Sequence, residues 1–388
     1  MTTPGGPLGG VKVLDFTALL QGPLATQIFG DLGAEVIKFE RAEGEWMRHW
    51  GILASRTHGE IDSFLAFNRN KRSVVADLKD EATRLRILEL AANADVVVEN
   101  FRPGVMDRLG LGYEDFRAVN PSIVYACSSG YGQQGPYRER PGQDILAQAL
   151  SGAMYLTGRR DDPPTPAGVG IADEYTGMHL AVATLAALLH ARETGQGQRV
   201  EVDLLGCMIA AQQQELTVFL NGEQEPHTTL PRPRRNIGHV GATAPFGVYQ
   251  ASDGYFTMAM FPCTELADIL DLAWLKEFET TEQMYQNRDH IHEQLSQVFG
   301  EDGRDRWLTV LAAGGVWCAP VLSYADLESD PHIAQMQIFW DVPFGDEGKT
   351  FRTVGSPIKF SETPPKVYRG VPKTGQDTAH YFPGLEAE

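Results

Sequence analysis

The sequence has few cysteines, no long apolar run and fewer basic than acidic residues. Its four cysteines stand far apart without a CxxC pair, which disfavours a disulfide scaffold or a zinc site and fits a reducing cytoplasm. The 33 Lys and Arg residues are outnumbered by 51 Asp and Glu residues, so the net charge of -18 disfavours general nucleic-acid binding. The longest apolar run, near 180–189, is too short to cross a bilayer, and residues 1–10 do not have the pattern of a signal peptide. We therefore expect a cytoplasmic protein with no metal and no membrane or nucleic-acid partner.

The glycine pattern of a dinucleotide site is also missing. Strand, helix and strand patterns follow one another at residues 11–16, 24–32 and 34–40. A βαβ unit whose second strand ends in an acid, here Glu40, is typical of folds that hold a ribose. The first turn, however, reads Gln21-Gly22-Pro23 instead of G-x-G-x-x-G, and Pro23 has no backbone N–H to offer a pyrophosphate. The pattern therefore predicts a parallel sheet and disfavours a dinucleotide cofactor.

The length of 388 residues and the 43% hydrophobic content allow two domains. Alternating helix and strand patterns continue at 81–92, 95–99, 113–119, 122–126 and 198–204. After about residue 222 the sequence changes to a proline-punctuated basic stretch, a strand pair and polar helices. We predict a Rossmann-like α/β large domain over 1–224, a smaller α+β domain over 225–325, and a return of 326–388 to the large domain.

Asp173 stands where a flexible glycine-containing segment, 168–172, meets a mostly apolar helix over 177–189. The positive end of that helix predicts that the carboxylate stays ionised. By itself the position is more typical of an ordinary helix N-cap, so the surrounding sequence has to decide.

Basic residues cluster in the predicted turns near the carboxyl ends of strands, where open α/β sheets bind ligands. They are Arg41, Lys71, Arg72, Arg102 and Arg108. These cations could hold phosphates, and Phe101 could offer an apolar face to an adenine. Solvated surface charge is the alternative interpretation for each of these cations.

Five blocks of sequence, in this order, resemble the class III CoA-transferases. That family includes the formyl-CoA:oxalate and carnitine CoA-transferases and the related α-methylacyl-CoA racemases. The blocks are Gly22-Pro23, 33–41, 70–73, 99–104 and Gly177-Met178-His179. The resemblance covers nearly the whole chain. It implies an enzyme that transfers coenzyme A from an acyl-CoA donor to a carboxylic acid acceptor, and an interlocked homodimer.

The resemblance also implies roles for particular residues. Asp173 would be the nucleophile that attacks the acyl-CoA thioester, and Asp144 a second acid of the active site. CoA would lie against Leu20, Gln21, Arg41, Lys71, Asn100, Phe101 and Arg108. The glycine-rich loop of the oxalate enzymes corresponds here to a stretch with only Gly238 and Gly241, whose backbone N–H groups we expect to serve as oxyanion donors. The oxalate enzymes carry glutamine where Leu20 stands, which disfavours oxalate or formate as substrate.

The racemases of this family exchange protons through a His and an Asp. Their His is the middle residue of a Gly-His-Asp triplet, which is Gly142-Gln143-Asp144 here. Glutamine does not exchange protons near neutral pH, so Gln143 favours the transferase. A 2-methylacyl-CoA racemase, another acyl-CoA enzyme of this fold, and a non-catalytic CoA-binding protein are the alternatives.

Overall fold

A computed structural model describes residues 5–221, 230–344 and 348–384. The chain divides into two compact units. Unit 1 comprises Met1–Ala147, Gly170–Ala211 and Ala334–Glu388, and unit 2 comprises Gln148–Val169 and Gln212–Ile333. This grouping differs from the predicted domain bounds because unit 2 also includes 148–169, 212–224 and 326–333. Neither the sequence periodicity nor the proline pattern marks these three segments, since their assignment depends on contacts with distant parts of the chain.

Unit 1 is built around a six-stranded parallel sheet, which confirms the predicted α/β fold. Its strands are β1 (Lys12–Phe16), β2 (Glu35–Glu40), β3 (Lys71–Val75), β4 (Val96–Glu99), β5 (Val124–Ser129) and β6 (Arg199–Asp203). They lie side by side in the order β3-β2-β1-β4-β5-β6. The order reverses between β1 and β4, and the crevice beyond the carboxyl ends of the strands at such a reversal is where open α/β sheets bind ligands.

Helices cover both faces of this sheet. Those that begin in unit 1 are Gln21–Asp31, Asp62–Phe67, Glu81–Ala91, Val105–Arg108, Tyr113–Val119, Asp144–Leu150, Ile171–Thr194, Leu204–Ala210 and Thr378–Tyr381. Two apolar clusters fill the space between sheet and helices, one containing Val13, Val98 and Leu180 and the other Leu14 and Val97. Neighbouring strand residues thus point into opposite clusters, which is why the parallel strands have continuous apolar runs.

The long helix Ile171–Thr194, here named the Asp173 helix, packs closely on the helix that starts at Gln21. A methyl group on Gly177 would lie 2.7 Å from the Gln21 carbonyl oxygen and 3.0 Å from Leu24 Cδ2. Only glycine therefore permits this approach, because real carbon atoms do not come so close to backbone oxygen. The contact fixes the start of the Asp173 helix relative to the end of β1.

The carboxyl-terminal part of unit 1 contains one antiparallel pair, Phe339–Phe344 with Lys349–Val354. The carboxyl-terminal part also bonds to the parallel sheet at β3. The Ser73 N–H donates to Asp377 Oδ2 (3.0 Å), and the Asn70 N–H, just before β3, donates to the Arg369 carbonyl (3.0 Å). A short hairpin pairs Arg56–Thr57 with Glu60–Ile61.

Unit 2 has a three-stranded antiparallel sheet of Gly247–Ala251, Gly254–Met258 and Cys318–Pro320. Its helices are Gln213–Asn221, Cys263–Leu270, Thr281–Gln286, Arg288–Phe299, Arg304–Ala313, Tyr324–Ser329 and Pro331–Met336, the last of which runs into unit 1. Tyr249, Phe256 and Phe299 form the centre of its core. Across both units, the described ranges contain no helix that is long and apolar enough to cross a membrane.

Candidate active site

Asp173 lies in the first turn of its helix, but it does not cap that helix. The N-cap residue is Gly170, and the capping bonds come from Asp144. Asp144 Oδ1 accepts hydrogen bonds from the backbone N–H of Ala172 (2.7 Å) and of Asp173 (3.2 Å). The interpretation of Asp173 as an ordinary N-cap is therefore wrong, because another acid satisfies the free N–H groups of the helix end.

Three acids, Asp144, Asp173 and Glu174, meet at this helix start. The pKa of Asp173 is raised to about 7, chiefly because its side chain is withdrawn from water, and further because Asp144 and Glu174 repel a second and third negative charge. With a pKa of about 7, roughly half of the Asp173 side chains are ionised at neutral pH, so the carboxylate is not fully ionised there as the sequence led us to expect.

Leu20 and Gln21 lie beside the same helix start. A methyl group on Gly170 would be 3.6 Å from Leu20 Cδ1 and 3.9 Å from Asp144 Oδ1, so both side chains approach one point. Gln21 Oε1 accepts a hydrogen bond from Ser128 Oγ (2.7 Å), at the carboxyl end of β5. The structure thus brings Leu20, Gln21 and the two aspartates together at the carboxyl edge of the sheet.

Gln143 directly precedes this group. Its side chain is exposed, and its carbonyl accepts from the N–H groups of Leu146 and Ala147, which begins the helix at Asp144. Gln143 thereby helps to place the Asp144 carboxylate. His179, six residues beyond Asp173 on the same helix, is engaged through Nδ1 with the Tyr175 carbonyl (2.9 Å).

The predicted CoA-binding residues Asn100 and Phe101 follow β4 at the reversal of strand order. Asn100 Oδ1 accepts from the Ala18 N–H (2.8 Å), and Asn100 Nδ2 donates to the Ala18 carbonyl (2.7 Å). The side chain of Asn100 thus braces the turn after β1. Phe101 is half-buried against the second apolar cluster. Arg41, with 79% of its side chain exposed, follows β2 on the same edge.

Arg108 has a second arginine beside it that the sequence did not point to. A methyl group on Gly104 would lie 3.2 Å from the nearest guanidinium nitrogen of both Arg108 and Arg138. Among the described residues no carboxylate pairs with Arg108, whereas Arg138 pairs through Nε with Glu139 (3.4 Å). Two guanidinium groups that both lie beside Gly104 can hold an anion together. Arg138 is too far from Arg108 in the sequence for any local pattern to connect them.

Lys71 contradicts the prediction that it contributes a phosphate-binding cation. It is the first residue of β3, at the amino edge of the sheet, and its side chain is fully buried. Its Nζ lies 3.2 Å from Asp15 Oδ2 and donates to Asn68 Oδ1 (2.9 Å) and the Pro23 carbonyl (3.0 Å). Burial lowers the pKa of Lys71 to about 8, even though Asp15 favours the charged form. The ammonium group is fully buried and bonded to three groups of the protein, which argues against a contact with phosphate.

Gly238 and Gly241 belong to unit 2. The Gly241 N–H donates to His239 Nδ1 (3.0 Å), and His239 Nε2 contacts Glu215 Oε1 (2.7 Å). A ring nitrogen therefore already accepts a hydrogen bond from the Gly241 N–H in this structure, and the role of this N–H as an oxyanion donor stays a prediction. For Gly238 the same expectation remains a prediction. The segment 238–241 is also anchored, since Arg288 donates to the Val240 carbonyl (2.5 Å).

The site thus combines the three acids at the start of the Asp173 helix with the arginines Arg108 and Arg138 at the same edge of the sheet. No group of His, Cys, Asp or Glu in the described ranges is arranged to hold a metal ion. The model of the family described as CoA-transferase family III matches residues 8–378. The chain belongs to CoA-transferase family III. This family III transferase is therefore an enzyme, and both the resemblance found from the sequence and the transferase class are confirmed.

Relatives of the transferase act on acyl-CoA and carboxylic acids according to their names. A mouse protein named succinyl-CoA:glutarate CoA-transferase is 34% identical over 96% of this chain and 85% of its own length. The acetyl-CoA:oxalate CoA-transferase of Acetobacter aceti is 35% identical over 85% of each chain. Among solved structures, a CAIB/BAIF family protein from Brucella suis superposes with a TM-score of 0.84 at 33% identity, over 97% of this chain and 98% of that one.

Proposed function

We propose that this transferase moves coenzyme A from an acyl-CoA to a carboxylic acid through a covalent intermediate on Asp173. One observation carries this proposal: within the described ranges, no hydrogen-bond donor and no cation contacts the Asp173 carboxylate, although its neighbour Asp144 is engaged in capping. A carboxylate that no donor or cation of the protein stabilises keeps its strength as a nucleophile when it is ionised. A carboxylate that served the fold would be held by donors.

The first half of the reaction loads CoA onto the enzyme. An oxygen of ionised Asp173 attacks the thioester carbonyl carbon of the donor, the carbon–sulfur bond breaks, and a mixed anhydride and CoA thiolate form. The thiolate then attacks the Asp173 carbonyl carbon and expels the donor acid as its carboxylate. Asp173 is now a thioester of CoA.

The second half reverses these steps with another acid. The acceptor carboxylate attacks the Asp173 thioester and releases CoA thiolate, which attacks the acceptor side of the new anhydride and regenerates the Asp173 carboxylate. One thioester replaces another, so the overall free energy changes little and the barrier is the obstacle. Water must be kept from the anhydride, which suits a site whose nucleophile is withdrawn from solvent.

We place the CoA phosphates at the carboxyl edge of the sheet, near Arg108, Arg138 and Arg41. The paired guanidinium groups of Arg108 and Arg138 match the charge of a phosphate, and Phe101 lies three residues before Gly104 for contact with the adenine. The Lys71 side chain has no part in this placement. Succinyl-CoA is the first donor to test, because the mouse relative is named for it.

Trapping the intermediate tests this function directly. The enzyme is mixed with succinyl-CoA and then treated with hydroxylamine or borohydride, which capture an acyl anhydride or thioester. Mass spectrometry is expected to find the modification on the peptide that contains Asp173, only when the donor is present. Turnover without modification of that peptide would contradict the mechanism, and α-proton exchange of a 2-methylacyl-CoA in deuterated water would indicate the racemase instead.

We further propose a homodimer, interlocked as the resemblance implies. Met178, Val182 and Leu189 lie on the Asp173 helix with 45%, 63% and 69% of their surface exposed. Their spacing of four and seven residues places them on one face, and an exposed apolar ridge of this kind is typical of an interface. The four cysteines are all free thiols, which supports a reducing, cytoplasmic setting.

Size-exclusion chromatography with light scattering checks the dimer. The wild-type protein is expected at twice the chain mass of 42.7 kDa. Val182→Glu combined with Leu189→Glu would place two charges on the ridge and is expected to shift the mass toward one chain. Leu85→Glu, at an exposed apolar position on the helix Glu81–Ala91, is the matched control and is expected to leave the dimer intact. A monomeric wild type would refute the dimer.

A further inference from the structure

The turn between β1 and the Gln21 helix is held by side chains from three other segments of the chain. The Thr17 N–H donates to Asp15 Oδ1 (2.8 Å), and the Thr17 carbonyl accepts from Lys38 Nζ (2.7 Å). Both backbone groups of Ala18 are bonded to Asn100. The two Thr17 contacts are buried, and the two Ala18 contacts are partly buried. The backbone of the turn is therefore fixed before any ligand binds.

Leu19 completes this turn in an unfavourable conformation. Its φ of 69° lies in the left-handed region, which residues other than glycine rarely adopt. Its side chain is 38% exposed, so it is not a fully packed core residue. Instead, the Leu19 N–H donates to Glu45 Oε2 (2.9 Å), and Glu45 Oε1 lies 3.1 Å from Lys38 Nζ. The two oxygens of Glu45 thus hold the turn on one side and the buried lysine on the other.

The next residue, Leu20, shows what this turn achieves. Leu20 Cδ1 lies beside Gly170 at the start of the Asp173 helix, where Asp144 Oδ1 also approaches. A change at Leu19 from left-handed to ordinary backbone would redirect Leu20 and the following helix. The left-handed residue therefore determines which side chain borders the acids.

We propose that Glu45 is a positioning residue for the transferase, holding Leu19 in the left-handed conformation so that Leu20 borders the Asp144–Asp173 site. This rests on the proposed function of Asp173. Glu45 acts through the backbone of the turn and does not touch the reacting atoms. A buried carboxylate accepts this N–H more strongly than a neutral group would, which offsets the cost of the left-handed backbone.

Two substitutions of Leu19 test the conformation without changing charge. Leu19→Ile keeps the side-chain composition but adds a β-branch that strongly disfavours positive φ, so we expect kcat to fall about tenfold with the KM for succinyl-CoA within about twofold. Leu19→Gly adopts positive φ without cost and is expected to keep most of the wild-type kcat. A purely structural turn would show equal kcat in both variants.

Rescue of a Glu45 variant is the sharper test. Glu45→Ala is expected to lower kcat about tenfold or more, and Leu19→Gly in the same chain is expected to restore most of that loss. The thermal midpoint should not be restored, because Lys38 remains without its partner. Glu89→Ala, which removes an exposed carboxylate paired with Arg86, is the control and should leave kcat unchanged.

The outcomes separate this inference from the proposed function. Wild-type kcat in Leu19→Ile, or a double variant as slow as Glu45→Ala, would overturn the role of Glu45 while Asp173 could still be trapped. An inactive, untrappable wild type would overturn the proposed function itself. If circular dichroism shows that Glu45→Ala does not fold, the comparison of kcat between Leu19→Ile and Leu19→Gly tests the role of Glu45 by itself.

Discussion

Asp173→Asn is expected to lower kcat for CoA transfer by about 10⁴-fold or more, because Asp173 is the attacking group in the proposed mechanism and an amide cannot attack a thioester. The change keeps the shape of the side chain, so CoA should still bind with nearly unchanged affinity. Steady-state turnover with succinyl-CoA and isothermal titration with CoA measure the two quantities separately. Asp173→Ala should behave in the same way.

The neighbouring acid provides the control for this experiment. Glu174 is exposed and is one residue farther along the same helix, so Glu174→Gln should retain most of the activity. An Asp173→Asn enzyme that still transfers CoA would refute the nucleophile, and a variant that loses CoA affinity in proportion to kcat would indicate a binding role instead.

The Asp173→Asn variant should be more stable than the wild type at pH 8. The folded pKa of Asp173, about 7, lies above its ordinary value of 3.8, so folding disfavours the ionised form. The free-energy cost of folding with an ionised Asp173 is absent below about pH 4 and complete above about pH 7. The uncharged asparagine of the variant removes this cost at every pH. Thermal midpoints at pH 8 and pH 4 therefore should differ between the two proteins only at the higher pH. A structural carboxylate would give the opposite sign.

Transfer by the wild-type enzyme is expected to fall about 100-fold between pH 8 and pH 5, because only about 1% of an acid with a pKa near 7 is ionised at pH 5. The cause is the raised pKa of Asp173, so the loss should follow a single acidic limb centred near pH 7. Plots of kcat/KM for succinyl-CoA against pH measure this limb, because they report the pKa values of the free enzyme. An activity that stays constant down to pH 5 would contradict the assignment.

Asp144→Asn tests whether the negative charge of Asp144 raises the pKa of Asp173 and so sets the pH at which activity falls. The amide oxygen can still accept from the N–H groups of Ala172 and Asp173, so the helix cap is kept while the negative charge is removed. The pKa of Asp173 should fall, which moves the acidic limb to lower pH. The rate at high pH should stay the same, because the ionised Asp173 is still the nucleophile. Asp144→Ala removes the cap as well and is expected to lower the plateau. An unmoved limb in Asp144→Asn would exclude coupling between the two acids.

Much of the fold followed from local patterns. The alternating apolar residues of β1 and β2 and the proline near the start of the first helix predicted a βαβ unit that the structure confirms. Lys71 shows where such reasoning fails. A lysine next to Arg72 in a polar stretch has the pattern of a surface turn, and only the approach of Asp15 and Pro23 from other segments makes it a buried core residue.

The sequence by itself determined the parallel α/β architecture, the family and the acid at position 173, because periodicity, turn residues and spaced motifs are local or additive along the chain. The tertiary structure alone decided that Asp144 caps the helix, that Asp173 has a pKa of about 7 and that Glu45 holds Leu19. Asp144 and Asp173 are 29 residues apart, and Glu45 and Leu19 are 26 apart. Burial and electrostatic coupling depend on which distant groups become neighbours, and only the folded chain specifies those neighbours.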